Sequence, residues 1–242
     1  MNSYERKCYE RDGFIIIKGI LPKHECRELV SQIKPLIRKE RREASKDKDG
    51  MCIMGKNQIG QPIIGKYRKW TAIYENPRLQ KILDELHPRK RWKWAYGAAK
   101  GLGWIHIRFP VARKSSVPKY GWHIDDSSNG KINPMKSITL LPILHDIKAS
   151  GGGGTLLLRG SHRLISYWVH SLQKRISLDD FIMKVSKEYI NNNNNNNNNN
   201  IIETTGREGD LLIMHPHLIH NVSRCRRHNK TRITFNLSLH YP

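Results

Sequence analysis

Within "GWHIDD", Gly121 to Asp126, a histidine and a carboxylate stand two positions apart, His123 and Asp125. On an extended strand end residues i and i+2 project to the same side, so this pair can reach one ion together while Asp126 points away. A lone His-x-Asp arises readily by chance in a chain with 12 histidines and needs company. The company follows about ninety residues later in "GDLLIMHPHLIHNVSRC", where Gly209-Asp210 opens a strand that ends in His215, His217 and His220. Any one of these three could complete a ligand set. Two imidazoles and one carboxylate on a face, with the other positions open, form the facial triad of non-haem Fe(II) oxygenases.

A further sign is Arg232 in "RITFNLSL", because a planar guanidinium can grip a carboxylate bidentately and stays charged at working pH. Thr234 lies two residues on and faces the same way. In "WIHIRF", His106 and Arg108 can point into a pocket as substrate or cosubstrate contacts, or belong to an ordinary sheet. Other chemistries find less support. The four cysteines form no CxxC pair, so a thiolate zinc site finds no support, and "RGSHR" lacks the G-x-S-x-G setting of a nucleophile elbow. Gly151 to Gly154 precede no Lys-Ser/Thr pair and read as a tight inter-strand turn rather than a phosphate cradle. Ser161 is a candidate helix cap, and His162 fixes a strand-to-helix turn.

The elements that must position these groups are short. "RDGFIIIKGILPKHECRELVSQI" reads as a turn at Asp12-Gly13, a buried strand over Phe14 to Ile17, a second turn through Gly19 and Pro22, then a helix. Cys26, Leu29, Val30, Ile33 and Ile37 recur at three- and four-residue steps, the stripe of a helix packed on one side. "RKERREASKDKDG" leaves that stripe for mixed charge, as a frayed helix end or mobile loop does. From Trp104 onward, "WIHIRF", "SITLLPIL", "GTLLL", "DLLIMHPHLIH" and "RITFNLSL" read as brief strands, interrupted by helical "HRLISYWVHSLQKRISLDDFIMKVSKEYI". That order predicts a mainly β antiparallel sandwich or barrel with helices packed before it.

The 242 residues, 38% hydrophobic, suffice for one core, so residues 1–242 are expected to form a single domain. Asn191 to Asn200 offer no apolar surface and are expected to be a disordered insertion inside it. The net charge of +22 invites a polyanionic partner. With "HPRKRWKW", where aromatics interleave with cations, it supports an alternative from another class: a non-catalytic, nucleic-acid-associated basic binding protein. The basic residues are nevertheless spread over separate clusters rather than one tail. The opening "MNSYERKCYERDG" lacks an apolar signal region and the longest apolar runs are far too short to span a bilayer. The expectation is an intracellular, cytoplasmic protein without membrane insertion.

Four segments in order carry a family resemblance: "YERDGFIIIKGILPKHECRELV", "GWHIDD", "LPILHDIKASGGGGTLLLRGSH" and "GDLLIMHPHLIHNVS". Together they resemble the phytanoyl-CoA dioxygenase family of Fe(II)/2-oxoglutarate-dependent oxygenases. The resemblance implies a double-stranded β-helix, a jelly-roll or cupin-like core, with N-terminal helices outside. It implies Fe(II) held by His123, Asp125 and His220, since His220 stands five positions after His215 of the His215-Pro216 pair. His215 and His217 then become structural groups or outer partners of the metal-bound imidazoles. It further implies 2-oxoglutarate anchored by Arg232 with help from Thr234. The implied reaction is hydroxylation of a small organic substrate by O2 with release of succinate and CO2, and the net charge of +22 admits an anionic one. Asp125 argues against the halogenase variant, which has no carboxylate there.

Overall fold

The computed structural model describes residues 1–44, 51–54, 73, 75–86, 92–94, 104–111, 117–125, 127–128, 131–132, 136–148, 151–172, 175–194, 200–225 and 231–240. The chain starts with helix α1 (Ser3–Asp12), closed by a capping box in which Asn2 accepts from the Glu5 amide while the Glu5 carboxylate accepts from that of Asn2. Gly13 ends it in the left-handed conformation at φ 82° and turns the chain into strand β1 (Phe14–Ile17). Helix α2 (Lys23–Ala44), strand β2 (Met51–Met54) and helix α3 (Pro77–Leu86) follow. Asn76 caps α3 by accepting from the Arg78 and Leu79 amides, both at 3.1 Å, ahead of a proline at the first helical position.

The remaining strands are β3 (Lys93–Trp94), β4 (Trp104–Arg108), β5 (Ser127–Ser128), β6 (Lys131–Ile132), β7 (Lys136–Pro142) and β8 (Thr155–Leu158). Helix α4 (Ser161–Tyr167), a π-helical stretch (Trp168–Leu172) and helix α5 (Leu178–Asn194) interrupt them before β9 (Ile201–Glu203), β10 (Leu211–Met214), β11 (His220–Val222) and β12 (Arg232–His240). The large sheet runs β1-β10-β7-β12-β4-β2, with β3 also on β12; a smaller sheet runs β11-β8-β9, and β5 and β6 form a hairpin. Every named pairing is antiparallel.

Side-chain alternation explains the layering. Ile15 and Ile17 of β1, Leu211 and Ile213 of β10, and Ile233, Phe235, Leu237 and Leu239 of β12 join the α2 stripe (Cys26, Leu29, Ile33) and the α3 residues Leu79, Ile82 and Leu83 in one cluster. The opposite faces of β1 and β10 meet the small sheet: Leu212 and Met214 pack with Leu141, Leu157 and Leu218. On the far side of the small sheet Leu156 and Leu158 pack against α4 and α5 through Ile165, Phe181 and Val185. The "LLIM" run of β10 is therefore apolar at every position because both of its faces are buried. At the β12–β4 end, the inner face carries polar residues instead.

Several expectations from sequence meet a different outcome. The asparagine tract is not wholly disordered: Asn191 to Asn194 prolong α5, residues 195–199 lie outside the described residues, and the Asn200 carbonyl accepts from the Arg159 amide at 2.8 Å. A helix already nucleated by an apolar face adds residues at small free-energy cost, which carries α5 into the tract. Ser161 does not cap α4 with its side chain; Gly160 holds the cap position, and the Ser161 hydroxyl accepts from the Ile219 amide at 2.9 Å. In "HPRKRWKW" the described Trp92 is not displayed for stacking, since its indole donates to Asp84 at 2.9 Å and its ring packs on the core. The charged run 45–50 lies outside the described residues. No helix among the described residues is long and apolar enough to cross a membrane.

Candidate metal centre and adjoining pocket

His123 and His220 face each other across an isolated antiparallel bridge, each backbone N–H donating to the other's carbonyl at 3.0 and 2.9 Å. Their rings lie 4.4 Å apart between centroids, inclined at 53°. The His123 Nδ1 contacts the Gly121 carbonyl and the His220 Nδ1 the Leu218 carbonyl, both at 2.9 Å. A carbonyl only accepts, so each imidazole donates from Nδ1 and keeps Nε2 as its basic nitrogen. Asp125 sits two residues beyond His123, with Oδ1 3.6 Å from His220 Nε2 and Oδ2 accepting from the Thr139 hydroxyl at 2.8 Å. One ligand atom from each of His123, Asp125 and His220 lies within 4.8 Å of the others. Two imidazoles and a carboxylate converging at that spacing suit a divalent first-row metal and leave one side open. Asp126 lies outside the described residues.

A cavity of about 450 Å³ adjoins this cluster between the two sheets. Its floor comes from neighbouring strands in register: Thr234 of β12 opposite His106 of β4, and Arg232 opposite Arg108. Period-two alternation sends Ile233 and Ile107 to the helical core and these four toward the cavity. Arg232 is 5% exposed, and its Nη2 donates to the Thr155 hydroxyl at 3.0 Å while its Nε is buried with no partner among the described residues. Burial, with the nearby Arg108 charge adding to it, pushes the Arg232 pKa down to about 10, so the group stays charged at neutral pH. Burial and then Arg232 push His106 down to about 4, so it is a neutral imidazole whose Nε2 is also buried without a partner among the described residues. An orphaned guanidinium N–H and a neutral imidazole facing one cavity fit an oxygen-rich, anionic molecule.

Thr234 lines the cavity as expected, but its hydroxyl donates to the Pro142 carbonyl at 2.7 Å. His215 and His217 stand apart from the cavity. His215 packs 5.0 Å from the His162 ring and 5.2 Å from that of His217, and its Nδ1 accepts from the His217 amide at 3.1 Å. The Nδ1 atoms of His123 and His220 contact two backbone carbonyls. Thr139 and Thr155 carry no sequence signal beyond being hydroxyls inside apolar strands. The glycine turn does hold an anion, though an internal one: the Glu203 carboxylate accepts from the Gly151 amide at 2.6 Å, the Gly154 amide at 3.1 Å and the Ser223 hydroxyl.

A jelly-roll of antiparallel strands with a His-x-Asp…His cluster between its sheets is the architecture of the cupin-like 2-oxoglutarate oxygenases. The family model for phytanoyl-CoA dioxygenase (PhyH) matches residues 9–229, and the chain belongs to that family. It is a non-haem enzyme of the iron- and 2-oxoglutarate-dependent class. No curated protein sequence matches the chain significantly. Among solved structures, the fold is similar to the non-haem alpha-ketoglutarate-dependent carbocyclase SnoK from nogalamycin biosynthesis, with a TM-score of 0.63 and 13% identity over 100% of this chain and 84% of that one. HygX from Streptomyces hygroscopicus, solved with nickel and 2-oxoglutarate bound, gives 0.57 and 13% over 100% and 87%. The epimerase SnoN, in complex with Fe3+, alpha ketoglutarate and nogalamycin RO, gives 0.58 and 14% over 98% and 82%.

Proposed function

We propose that residues 1–242 form one dioxygenase domain in which His123, Asp125 and His220 hold Fe(II), Arg232 anchors 2-oxoglutarate, and a small anionic organic substrate is hydroxylated. The observation that supports this best is the convergence of three ligand atoms within 4.8 Å beside a cavity floored by a buried guanidinium. When bound, iron and 2-oxoglutarate consume O2, release succinate and CO2, and supply an oxidant able to break an unactivated C–H bond. The chain's own task is positioning. The Gly121 and Leu218 carbonyls hold both imidazoles in the ligating tautomer, and Thr139 aims the Asp125 carboxylate. Neutral His106 adds a hydrogen-bonding nitrogen without a competing charge, and Leu141 helps to keep the inner wall dry. Tyr120, 79% exposed, and Arg224 lie at the cavity's edge and suit an aromatic and cationic grip on an entering anion.

The test is succinate formation in the purified protein. It should require both Fe(II) and 2-oxoglutarate and vanish in Asp125→Ala, because that change removes the only charged ligand of the cluster. Iron-independent binding of DNA or RNA with no 2-oxoglutarate turnover under any condition would overturn the reading and favour a basic binding protein on the same scaffold.

A further inference from the structure

Away from the metal centre, three arginines gather around one buried acid where the end of α1 meets the start of α4. The Asp12 side chain is 7% exposed and accepts from Arg11 Nε and Nη2 at 2.8 and 2.7 Å. Arg159 stands with its Nε 3.6 Å from Asp12 Oδ1, and that Nε is buried with no hydrogen-bond partner among the described residues. Arg163 folds back over Gly160: its Nη2 lies 3.1 Å from the point a Cβ on that glycine would occupy, and the Arg11 carbonyl lies 3.4 Å from the same point. The Arg11 hydrogen bond, with the Arg159 and Arg163 charges added to it, holds the Asp12 carboxyl below its ordinary range against burial. Asp12 thus lies beneath, while the Arg11 and Arg159 side chains are 62% and 40% exposed and Arg163 is exposed as well. The Arg163 guanidinium makes no hydrogen bond or ion pair with any described residue, Glu188 beside Tyr189 included. Three guanidinium charges on one carboxylate leave two positive charges unmatched at one spot.

We infer that Arg11, Arg159 and Arg163 form a surface site for a phosphate dianion, free or as a monoester of a small molecule. The surplus of two charges matches the roughly −1.5 to −2 of such a group near neutral pH, and guanidinium forks suit its oxygens. The backbone beneath is held in place before any ligand arrives. The Arg159 amide donates to the Asn200 carbonyl at 2.8 Å, the Arg159 carbonyl accepts from the Tyr189 hydroxyl at 3.0 Å, and the Gly160 amide donates to the Asp12 carbonyl at 2.9 Å. Such anchoring lowers the ordering cost of binding. The three arginines converge on one point rather than forming a row, which fits a single compact dianion better than a chain of singly charged phosphodiesters. None of them lines the cavity beside His123, Asp125 and His220, so the site stands or falls independently of the proposed function.

The experiment is a calorimetric titration of the full chain with inorganic phosphate and with phenyl phosphate at about pH 8, where both are mainly dianions. Arg163→Gln should weaken binding about tenfold, the low end for hydrogen bonds to a charged group because this guanidinium is exposed. Arg163→Lys, which keeps the charge without the fork, should fall between. Arg175→Gln removes an exposed arginine ahead of α5 that has no part in the cluster, and it should match wild type. The two probes separate the sources: equal affinities mean that the free anion fills the site, and tighter binding of phenyl phosphate means that an organic phosphate does. An affinity unchanged in Arg163→Gln, or lowered as much by Arg175→Gln, overturns the site. Arg163-dependent binding of an RNA containing only phosphodiesters, with neither probe bound, overturns it in favour of a nucleic-acid backbone contact.

Discussion

In the proposed centre, Thr139 would govern how well Asp125 acts as a ligand. A carboxylate can rotate away from a metal; the 2.8 Å hydrogen bond from the Thr139 hydroxyl to Oδ2 fixes that rotation and presents Oδ1 toward His220. Thr139→Val preserves the shape in a strand where the side chain is 1% exposed and removes only the O–H. Its expected effect is a fall in Fe(II) affinity of about 10–100-fold, the usual consequence of losing an outer-shell partner. An anaerobic Fe(II) titration checks this, and unchanged affinity would show that Asp125 needs no such support. The reach of sequence is clear at this scale. His123 and Asp125 were legible because i and i+2 share a side of an extended segment. Spacing treated His215, His217 and His220 alike, and only the family resemblance separated them. The physical distinction is tertiary: the Leu218 amide donates to the His215 carbonyl in a turn that leaves His215 and His217 against α1 and α4, whereas His220 enters β11 and pairs with both Leu157 and His123.

Strands β12 and β4 do two jobs by alternation, feeding the helical core on one face and the cavity on the other, which is why their residue types were readable as strands with polar functional positions. Helix α1 was not readable in the same way. Its residues are polar, with only Tyr9 and Asp12 buried, so it shows little apolar stripe and owes its ends to the Asn2–Glu5 box and Gly13. The glycine run was read as a turn, and the structure adds why it cannot be lengthened by even one methyl group at Gly154. A Cβ there would collide with the Thr204 carbonyl oxygen, a backbone atom held by the pairing of Thr155 with Thr204. Gly154→Ala should therefore destabilise the fold by about 1–3 kcal/mol, the range for overpacking. In a chain of this size that lowers Tm by roughly 2–4 °C per kcal/mol. Because Thr155 is the next residue, the variant should also weaken 2-oxoglutarate binding. A Tm and an affinity both equal to wild type would mean that the chain entering β8 yields more than the packing indicates.

At the scale of the whole molecule, the N-terminal helix meets a group of buried and half-buried histidines, His162 of α4 with His215 and His217 after β10, and this makes the fold acid-sensitive in a definite window. His162 Nε2 meets the Glu10 carbonyl at 3.1 Å, and its ring packs beside His215, which in turn lies 6.3 Å from the Tyr9 ring. Burial pushes His215 down to about 3, and its histidine neighbours add to that. Burial also lowers His162, against the raising effect of its hydrogen bond to the Glu10 carbonyl and with Arg163 adding to the fall, and it lowers His217. In the unfolded chain these imidazoles take up protons near their ordinary value of about 6.5, while the folded protein refuses them until much lower pH. Stability is therefore fully present above about pH 6.5 and falls as the pH drops toward 3, because the unfolded state binds more protons throughout that interval. Asp210 acts lower on the scale. Burial alone would raise its carboxyl, but the Arg207 and Gly19 amides and Lys18 outweigh it and hold it below the usual range, so its contribution begins to be lost as the pH falls through the ordinary carboxylate range and is gone below its lowered folded value. The two windows separate experimentally. Thermal melts of the metal-free protein should show Tm declining from about pH 6.5 to 4.5, before any carboxylate of this kind titrates. His215→Asn keeps an acceptor for the His217 amide without a titrating ring, and it should make that decline shallower. A wild-type Tm that stays flat across the interval would mean that the histidines are reached by water and protonate in place.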